Sequence, residues 1–314
     1  VFYALNAAIH FSFMSMTMNP VTVAALNTIF RFVTVVVLTP TIGLLERMVC
    51  RMIPEDVVVE DTPWSILEDR FIQHPVLAIE QCRIAISNMS NRVGDDLMLA
   101  FGLLHDYSDD GFDAVVRIEN EVDGYEDNLG TYIVKVTASE LTAKQNEDVY
   151  RYLHAITDLE RISDYAVNIA EVAQQMHERG IVLSDTVQNE IKVMDEALEE
   201  IVAYSIEALV SSNENAARRV EPLEELIDGL CDEMTRRNTL RIQNREYSHK
   251  DGLLINDLII YFERISDHCS NIAVALIELD QDEFDVHNYI ESLMQRNDEE
   301  FERYFQEYKE RFHF

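Results

Sequence analysis

The sequence reads E-R-I-S-D at residues 160–164 and again at residues 263–267, and N-I-A follows each copy, at 168–170 and 271–273. Glutamate and aspartate four residues apart lie on one face of a helix, one turn from each other. The isoleucine supplies an apolar position, and the serine is small enough for a second helix to approach closely. Repetition of so long a stretch indicates an internal duplication of a helical unit.

A second acidic pattern repeats upstream of each copy. The sequence has E-x-x-x-D-G at residues 119–124 and at residues 224–229. Each half of the duplication therefore carries one acidic pair on its middle helix and one on its third helix. If these helices pack antiparallel, their two acidic faces can place four carboxylates around one point. Hard oxygen ligands of this kind suit Mg, Mn, Fe, Ca or Zn.

The candidate metal ligands are the carboxylates of these repeated pairs, and the asparagine after each E-R-I-S-D adds a neutral oxygen one turn further along. The carboxylates are Glu119, Asp123, Glu160, Asp164, Glu224, Asp228, Glu263 and Asp267, and the asparagines are Asn168 and Asn271. A solvated acidic surface patch is the alternative, because 58 acidic residues produce many such pairs by chance.

Enzymatic chemistry is not expected of this chain. The sequence has no nucleophile–base constellation, no G-x-G-x-x-G and no P-loop. A carboxylate-bridged di-iron oxidase would carry Glu-x-x-His on its bundle helices. That spacing occurs at Glu246-x-x-His249 and Glu310-x-x-His313, which are both outside the repeated motifs.

The net charge of −33 argues against nucleic acid as a partner, because phosphates would be repelled. Nine glycines and six prolines are few for 314 residues, which favours long helices. The cysteines form no C-x-x-C, so we interpret them as reduced thiols of a cytosolic core rather than as a disulfide framework or a zinc site.

Residues 1–51 differ from the rest of the chain in their very low charge. Residues 21–45 are apolar apart from Arg31, Asn27 and several threonines, and this length could cross a bilayer core of about 30 Å. Arg47 and Arg51 follow directly, which favours a cytoplasmic side for what comes next. The sequence thus predicts a membrane helix, with a buried helical hairpin as the alternative.

The predicted fold is all-α. We expect membrane segments at 1–51, a linker at 52–62, a first three-helix unit at 63–180, a second at 181–280 and an extra helix at 281–314. The expected helices span about 63–107 with a kink at Pro75, 112–136, 140–179 with Ser139 as its cap, 184–210, 216–243, 249–279 and 283–312.

The repeated E-R-I-S-D-x-x-x-N-I-A, each paired with an upstream E-x-x-x-D, resembles PhoU and the PhoU-like domains. In that family two three-helix bundles are related by pseudo-symmetry, E(D)-x-x-x-D motifs bind metal ions, and the domain regulates phosphate uptake. The resemblance covers about residues 63–280 and implies the same carboxylates as metal ligands. Ser163 and Ser266 replace the glycine that is usual in E-R-I-G-D.

A PhoU-like domain after membrane segments is similar to the bacterial sodium/phosphate cotransporters that carry one at the C-terminus. Residues 24–40 resemble the last span of that family, with Asn27 and Arg31 where histidine and asparagine are usual. The Gln-Ser-Ser repeats of the family's substrate site are absent. The resemblance therefore implies the C-terminal part of a phosphate transporter, or a degenerate relative.

From these observations we expect a metal-binding, PhoU-like regulator of sodium-dependent phosphate transport at the cell membrane, with residues 52–314 in the cytoplasm. Its expected partners are the membrane, the rest of the transporter or another phosphate-uptake component, and sodium and inorganic phosphate if a transport core is present. Self-association into a homo-oligomer is left open. The alternative is a membrane-anchored signalling adaptor without transport activity.

Overall fold

The computed structural model describes residues 27–32, 34–36, 39, 62–278 and 299–314. The chain divides into two compact parts, Val1–Asp61 and Thr62–Phe314. In the first part, residues 27–32 and 34–36 are helical. No helix among the described residues is both long and apolar enough to span a bilayer. Most of the membrane segment predicted at 21–45, and nearly all of the predicted linker, lie outside the described residues.

The second part is built from seven α-helices within residues 62–278 and 299–314. They are α1 (Pro75–His105), α2 (Asp109–Thr137), α3 (Ala143–Arg179), α4 (Asp185–Ser211), α5 (Glu214–Gln243), α6 (His249–Glu278) and α7 (Glu299–Arg311). One turn of 3₁₀ helix, Asp69–Phe71, precedes α1.

The first six helices form two three-helix bundles in tandem. In the first bundle α1, α2 and α3 all contact one another, and in the second bundle α4, α5 and α6 do the same. The bundles join along α3 with α6 and along α1 with α4. The predicted all-α class, with two tandem bundles, is confirmed for the described residues. This topology sets the two E-R-I-S-D helices, α3 and α6, side by side.

The isoleucines of the repeated motif anchor these two helices in the core. Ile162, Ile169, Ile265 and Ile272 are almost fully buried. Since glutamate and aspartate of each motif lie at other angles around the helix, burial of the isoleucines fixes where the carboxylates face. The core therefore positions the candidate site.

The first helix begins later than the sequence predicted. The predicted helix from Pro63 with a kink at Pro75 is wrong, because Pro75 occupies the first turn of α1. Proline has no N–H and clashes with the carbonyl four residues before it, so it suits a helix start better than an interior position. Residues 62–74 instead form turns and the short 3₁₀ helix.

The start of α3 also differs by a few residues from the prediction. Thr142, and not Ser139, caps this helix, and it forms a capping box with Gln145. Helix α3 ends at Arg179, and the Gly180 that caps it has a φ of 62°, in the left-handed region that glycine adopts without strain.

The turns before α1 cover one side of the first bundle. The ring of Trp64 lies against Gly124, where an added Cβ would be 2.2 Å from the ring atom Cζ3. Tyr125 donates a hydrogen bond to the carbonyl of Pro63, and Tyr132 donates to the carbonyl of Glu68. These contacts tie residues 62–74 to α2.

Helix α7 covers α5 in the second bundle. Its described part, Glu299–Arg311, lies within the helix predicted at 283–312, and the rest of that prediction, up to residue 298, lies outside the described residues. Tyr308 is fully buried, and Tyr304 and Phe312 are nearly so. Arg219 of α5 lies over the Tyr304 ring, 4.6 Å from its centroid. The face of α7 that carries these aromatic residues is thus part of the core.

Candidate metal centres

The first cluster of carboxylates forms where α2 and α3 meet. Glu119 and Asp123 lie one turn apart on α2, and Asp164 projects from α3. One oxygen of each carboxylate lies within 4.8 Å of the others. Val122 beside them on α2 and Ile162 on α3 are buried, which holds the two acidic faces toward each other.

The second cluster repeats this arrangement between α5 and α6. It consists of Glu224, Asp228 and Asp267, whose oxygens again lie within 4.8 Å of one another. All three side chains are half-buried, whereas Asp123 in the first cluster is exposed. Each bundle thus brings together three of the four acids that its repeated motifs supply.

The glutamate of each E-R-I-S-D lies beside its cluster rather than within it. Burial, followed by repulsion from Asp164, raises the pKa of Glu160 to about 7. Glu263 is exposed, and its charge contributes to the raised pKa of Asp228. The motif glutamates are therefore electrostatic neighbours of the clusters.

The asparagine of the second motif, Asn271, contacts the other bundle. Asn271 donates a hydrogen bond to Asp158 on α3, and His268 Nδ1 lies 2.9 Å from the same carboxylate. These contacts link α6 to α3 beside a cavity of about 500 Å³. Asn168 is half-buried on α3. The structure thus gives Asn271 a role in joining the bundles.

Ionisation is disfavoured for two carboxylates in each cluster, Glu119 and Asp123 in the first and Glu224 and Asp228 in the second. Burial, followed by repulsion from Asp228, raises the pKa of Glu224 to about 8. Burial and the charge of Asp267 raise the pKa of Asp228 to about 6. In the first cluster burial and neighbouring carboxylates raise the pKa of both Glu119 and Asp123. A bound cation would reverse this repulsion and favour the charged carboxylates.

Each cluster also has one arginine at its edge. Arg161 donates to Asp164 at 3.0 Å, and Arg264 donates to Asp267 at 3.2 Å. Both guanidinium groups are more than half exposed, so their contribution is screened by water. The arginines of E-R-I-S-D thus offset part of the negative charge without filling the clusters.

The donor set fits a hard metal cation. The ligands available in each bundle are carboxylate oxygens, which Mg, Mn, Ca and Fe accept. Asp228 Oδ1 in the second cluster is buried and makes no hydrogen bond. A buried carboxylate oxygen without a partner is costly, and a cation is one way to satisfy it. Glu119, Asp123 and Asp164 would hold a cation in the first bundle, and Glu224, Asp228 and Asp267 in the second.

The Glu-x-x-His pairs that a di-iron oxidase would use lie on the surface, outside the two clusters. Glu246, His249, Glu310 and His313 are all exposed, and neither pair belongs to a cluster. No histidine contributes to either cluster among the described residues. The geometry therefore favours an all-oxygen cation site over a histidine-containing di-iron centre.

Sequence reasoning missed one acidic residue of this region. Asp96 on α1 is completely buried, and the hydroxyl of Ser163 in the first E-R-I-S-D donates to its Oδ2 at 2.6 Å. Burial raises the pKa of Asp96 to about 7, and the hydrogen bond from Ser163 opposes this rise. Its only sequence signal is an aspartate in phase with the apolar face of α1, beside Val93, Leu97 and Ala100.

Comparison with known proteins places this fold. The model of the PhoU domain matches residues 86–173 and 191–276, which are the two bundles. A phosphate-specific transport system accessory protein PhoU homolog of Synechocystis is 29% identical over 166 residues, covering 51% of this chain and 70% of that protein. A homolog with the same description from Clostridium acetobutylicum is 24% identical over 171 residues, covering 53% and 76%.

Solved structures agree at the level of the fold. The crystal structure of PhoU from Pseudomonas aeruginosa superposes with a TM-score of 0.60 at 21% identity, covering 66% of this chain and 97% of that one. The phosphate transport system regulatory protein PhoU from Streptococcus pneumoniae gives 0.60 at 16% identity, covering 67% and 98%. With the family model matched over both bundles, this chain belongs to the PhoU domain family.

Proposed function

We propose that this protein regulates phosphate transport and that its paired carboxylate clusters bind divalent or trivalent metal ions. The relatives named above are accessory or regulatory proteins of phosphate transport systems. The observation that supports cation binding is the pair of three-carboxylate clusters at matched positions of the two bundles. A regulatory role through binding needs no catalytic group.

The physical argument for cations is that each cluster gathers negative charge that the protein itself does not neutralise. Each edge arginine donates to only one carboxylate of its cluster, and the pKa of Glu224 and Asp228 stays raised. Closely spaced carboxylates repel, and a cation among them converts the repulsion to attraction. Cation binding would therefore join α2 to α3 and α5 to α6, and stiffen the face that a transporter component would contact.

Cation binding is tested by loading the full chain with Mn²⁺, Mg²⁺, Fe²⁺ or Zn²⁺ and measuring bound metal by elemental analysis after gel filtration. We expect bound metal in the unmodified protein and its loss in a variant with Asp123→Asn, Asp164→Asn, Asp228→Asn and Asp267→Asn. A matched control is Asp109→Asn with Asp113→Asn, an exposed pair four residues apart on α2. Equal metal content in the four-site variant and the control would overturn the ligand assignment.

The regulatory part is tested by phosphate uptake in the native host after deletion of the gene. We expect the deletion to change the uptake rate or its response to external phosphate, and the unmodified gene to restore it. The four-site variant should fail to restore it, whereas the Asp109/Asp113 control should succeed. Uptake that does not change on deletion would contradict a role in phosphate transport.

Attachment to a sodium-dependent phosphate transporter is a further proposal, favoured by the apolar composition of residues 21–45 and by the basic residues after them. On this proposal the bundles lie on the cytoplasmic side and dock on the transporter's inner face. Extending the reading frame upstream of residue 1 tests it: Gln-Ser-Ser repeats would support a cotransporter. A frame without them would favour the membrane-anchored signalling adaptor.

A further inference from the structure

Asp96 is the buried carboxylate of the first bundle that the two repeated motifs leave unexplained. It lies on α1, is fully buried, and receives one hydrogen bond, from Ser163 on α3. Its second oxygen, Oδ1, is buried and makes no hydrogen bond. A carboxylate in this condition destabilises the fold unless a proton or a nearby positive charge compensates it.

Its surroundings connect Asp96 to the first cluster. Ser163 immediately precedes Asp164, a member of that cluster. The charge of Glu119, another member, adds to the raised pKa of Asp96, so the two carboxyl groups are within electrostatic reach. The charge of Arg92 on the same helix opposes the rise in the pKa of Asp96, although Arg92 donates its hydrogen bond to Glu121, at 2.8 Å. Asp96 is thus hydrogen-bonded to the neighbour of one cluster residue and lies within electrostatic reach of another.

The second bundle is built differently at the matching position. The hydroxyl of Ser266, the counterpart of Ser163, donates to the carbonyl of Glu263 in its own helix. The buried acids of α4 have other partners: Glu190 pairs with two arginines and Asp195 with His105. The second bundle also has an acid that is hydrogen-bonded to a serine, since Glu221 accepts a hydrogen bond from Ser270. This acid lies on α5, which already carries two residues of the second cluster, and not on the first helix of its bundle.

We propose that Asp96 is a positioning residue of the first cation site: through Ser163 it fixes the orientation of Asp164, and its negative charge strengthens cation binding at the cluster. This inference rests on the proposed cation binding. It makes the two sites unequal, because α1 joins α2 and α3 in supporting the first site, whereas α5 and α6 alone form the second. Cation binding in the first bundle would then brace all three of its helices.

The experiment measures Mn²⁺ affinity of the full chain, with free Mn²⁺ detected by electron paramagnetic resonance. The parent carries Asp228→Asn and Asp267→Asn, so that only the first site is read. Outer-shell partners of metal ligands typically change affinity about 10- to 100-fold. We therefore expect Asp96→Asn to weaken Mn²⁺ binding by about 10-fold or more, and Ser163→Ala to weaken it in the same direction.

The matched control is Ser266→Ala in a reciprocal parent that carries Asp123→Asn and Asp164→Asn. Since Ser266 bonds only to its own helix, the second site should keep its Mn²⁺ affinity within about twofold, which is small beside an outer-shell effect. Apo thermal stability separates a supporting role from a purely structural one. Asp96→Asn removes a buried charge, so the apo melting temperature should hold or rise while affinity falls.

The outcomes are distinguishable. A parent that binds Mn²⁺, with Asp96→Asn and Ser163→Ala both within about threefold of it, overturns the role of Asp96 and leaves the proposed cation sites standing. Failure of the unmodified protein to bind Mn²⁺ at either site overturns the proposed function, and this inference with it. A lower apo melting temperature with unchanged affinity would assign Asp96 to folding alone. If Asp96→Asn does not fold, the Mn²⁺ affinity of Ser163→Ala decides whether the proposed role of Asp96 stands.

Discussion

A buried ion triad between α4 and α5 gives the sharpest test of how the second bundle is held together. Glu190 is completely buried and accepts hydrogen bonds from Arg241 at 2.6 and 2.8 Å and from Arg237 at 2.9 Å. Arg237 also donates to the main-chain oxygen of Phe314, just after α7. The triad therefore connects α4, α5 and the segment that ends α7.

Replacing Arg241 with methionine should destabilise the protein strongly, because the buried Glu190 loses one of its two arginine partners and two of its three hydrogen bonds. Removing one partner of a buried ion pair costs about 3–5 kcal/mol. Arg237 remains in contact, so we expect the lower end, about 3 kcal/mol, which is about 6–12 °C in melting temperature for a part of this size. Urea unfolding followed by circular dichroism measures the loss in unfolding free energy.

The matched control is Arg236→Met, since Arg236 pairs with Glu233 on the exposed surface at 2.7 Å. An exposed pair contributes at most about 1 kcal/mol. Adding Glu190→Gln to Arg241→Met should restore part of the stability, because no charge is then left buried with too few partners. A loss for Arg241→Met within 1 kcal/mol of the control, roughly the ceiling for a surface pair, would refute this reasoning.

Two further predictions concern other positions. Gly124→Ala should destabilise the protein by about 1–3 kcal/mol, because its Cβ would meet the Trp64 ring. The control Gly229→Ala, whose Cβ would have nothing within 4 Å, should be neutral or stabilise by about 0.5–1 kcal/mol. Similar unfolding free energies for the two variants would contradict the packing argument. Burial raises the pKa of Asp195 to about 7 against the opposing effect of His105. The metal-free protein should therefore lose stability from about pH 4 to pH 7 as the unfolded chain releases this proton first, and Asp195→Asn should gain on the unmodified protein over that range, by about 2–4 kcal/mol at pH 8. The prediction would be contradicted if the unfolding free energies of Asp195→Asn and the unmodified protein differed by the same amount at pH 5 and at pH 8.

The two repeats could be recognised from the sequence because the spacing of their residues determines which of them share one face of a helix. Two E-x-x-x-D pairs per repeat, in phase with buried isoleucines, predicted which helices carry the acids and that the helices are long. The error at the first helix came from a proline, because Pro75 fits either a kink in a long helix or a start, and only packing of residues 62–74 against α2 selected the start.

What the sequence determined by itself is the all-α class, the duplication and the identity of the acids, since periodicity and repetition are local properties of the chain. The tertiary structure decided which acids meet. Glu119, Asp123 and Asp164 converge while Glu160 stays beside them, because the contact angle of α2 on α3 is set by the whole core. It also decided that Asp96 accepts a hydrogen bond from Ser163 and that Asn271 links the two bundles through Asp158. Such pairings join residues far apart in the chain, so no local pattern could predict them.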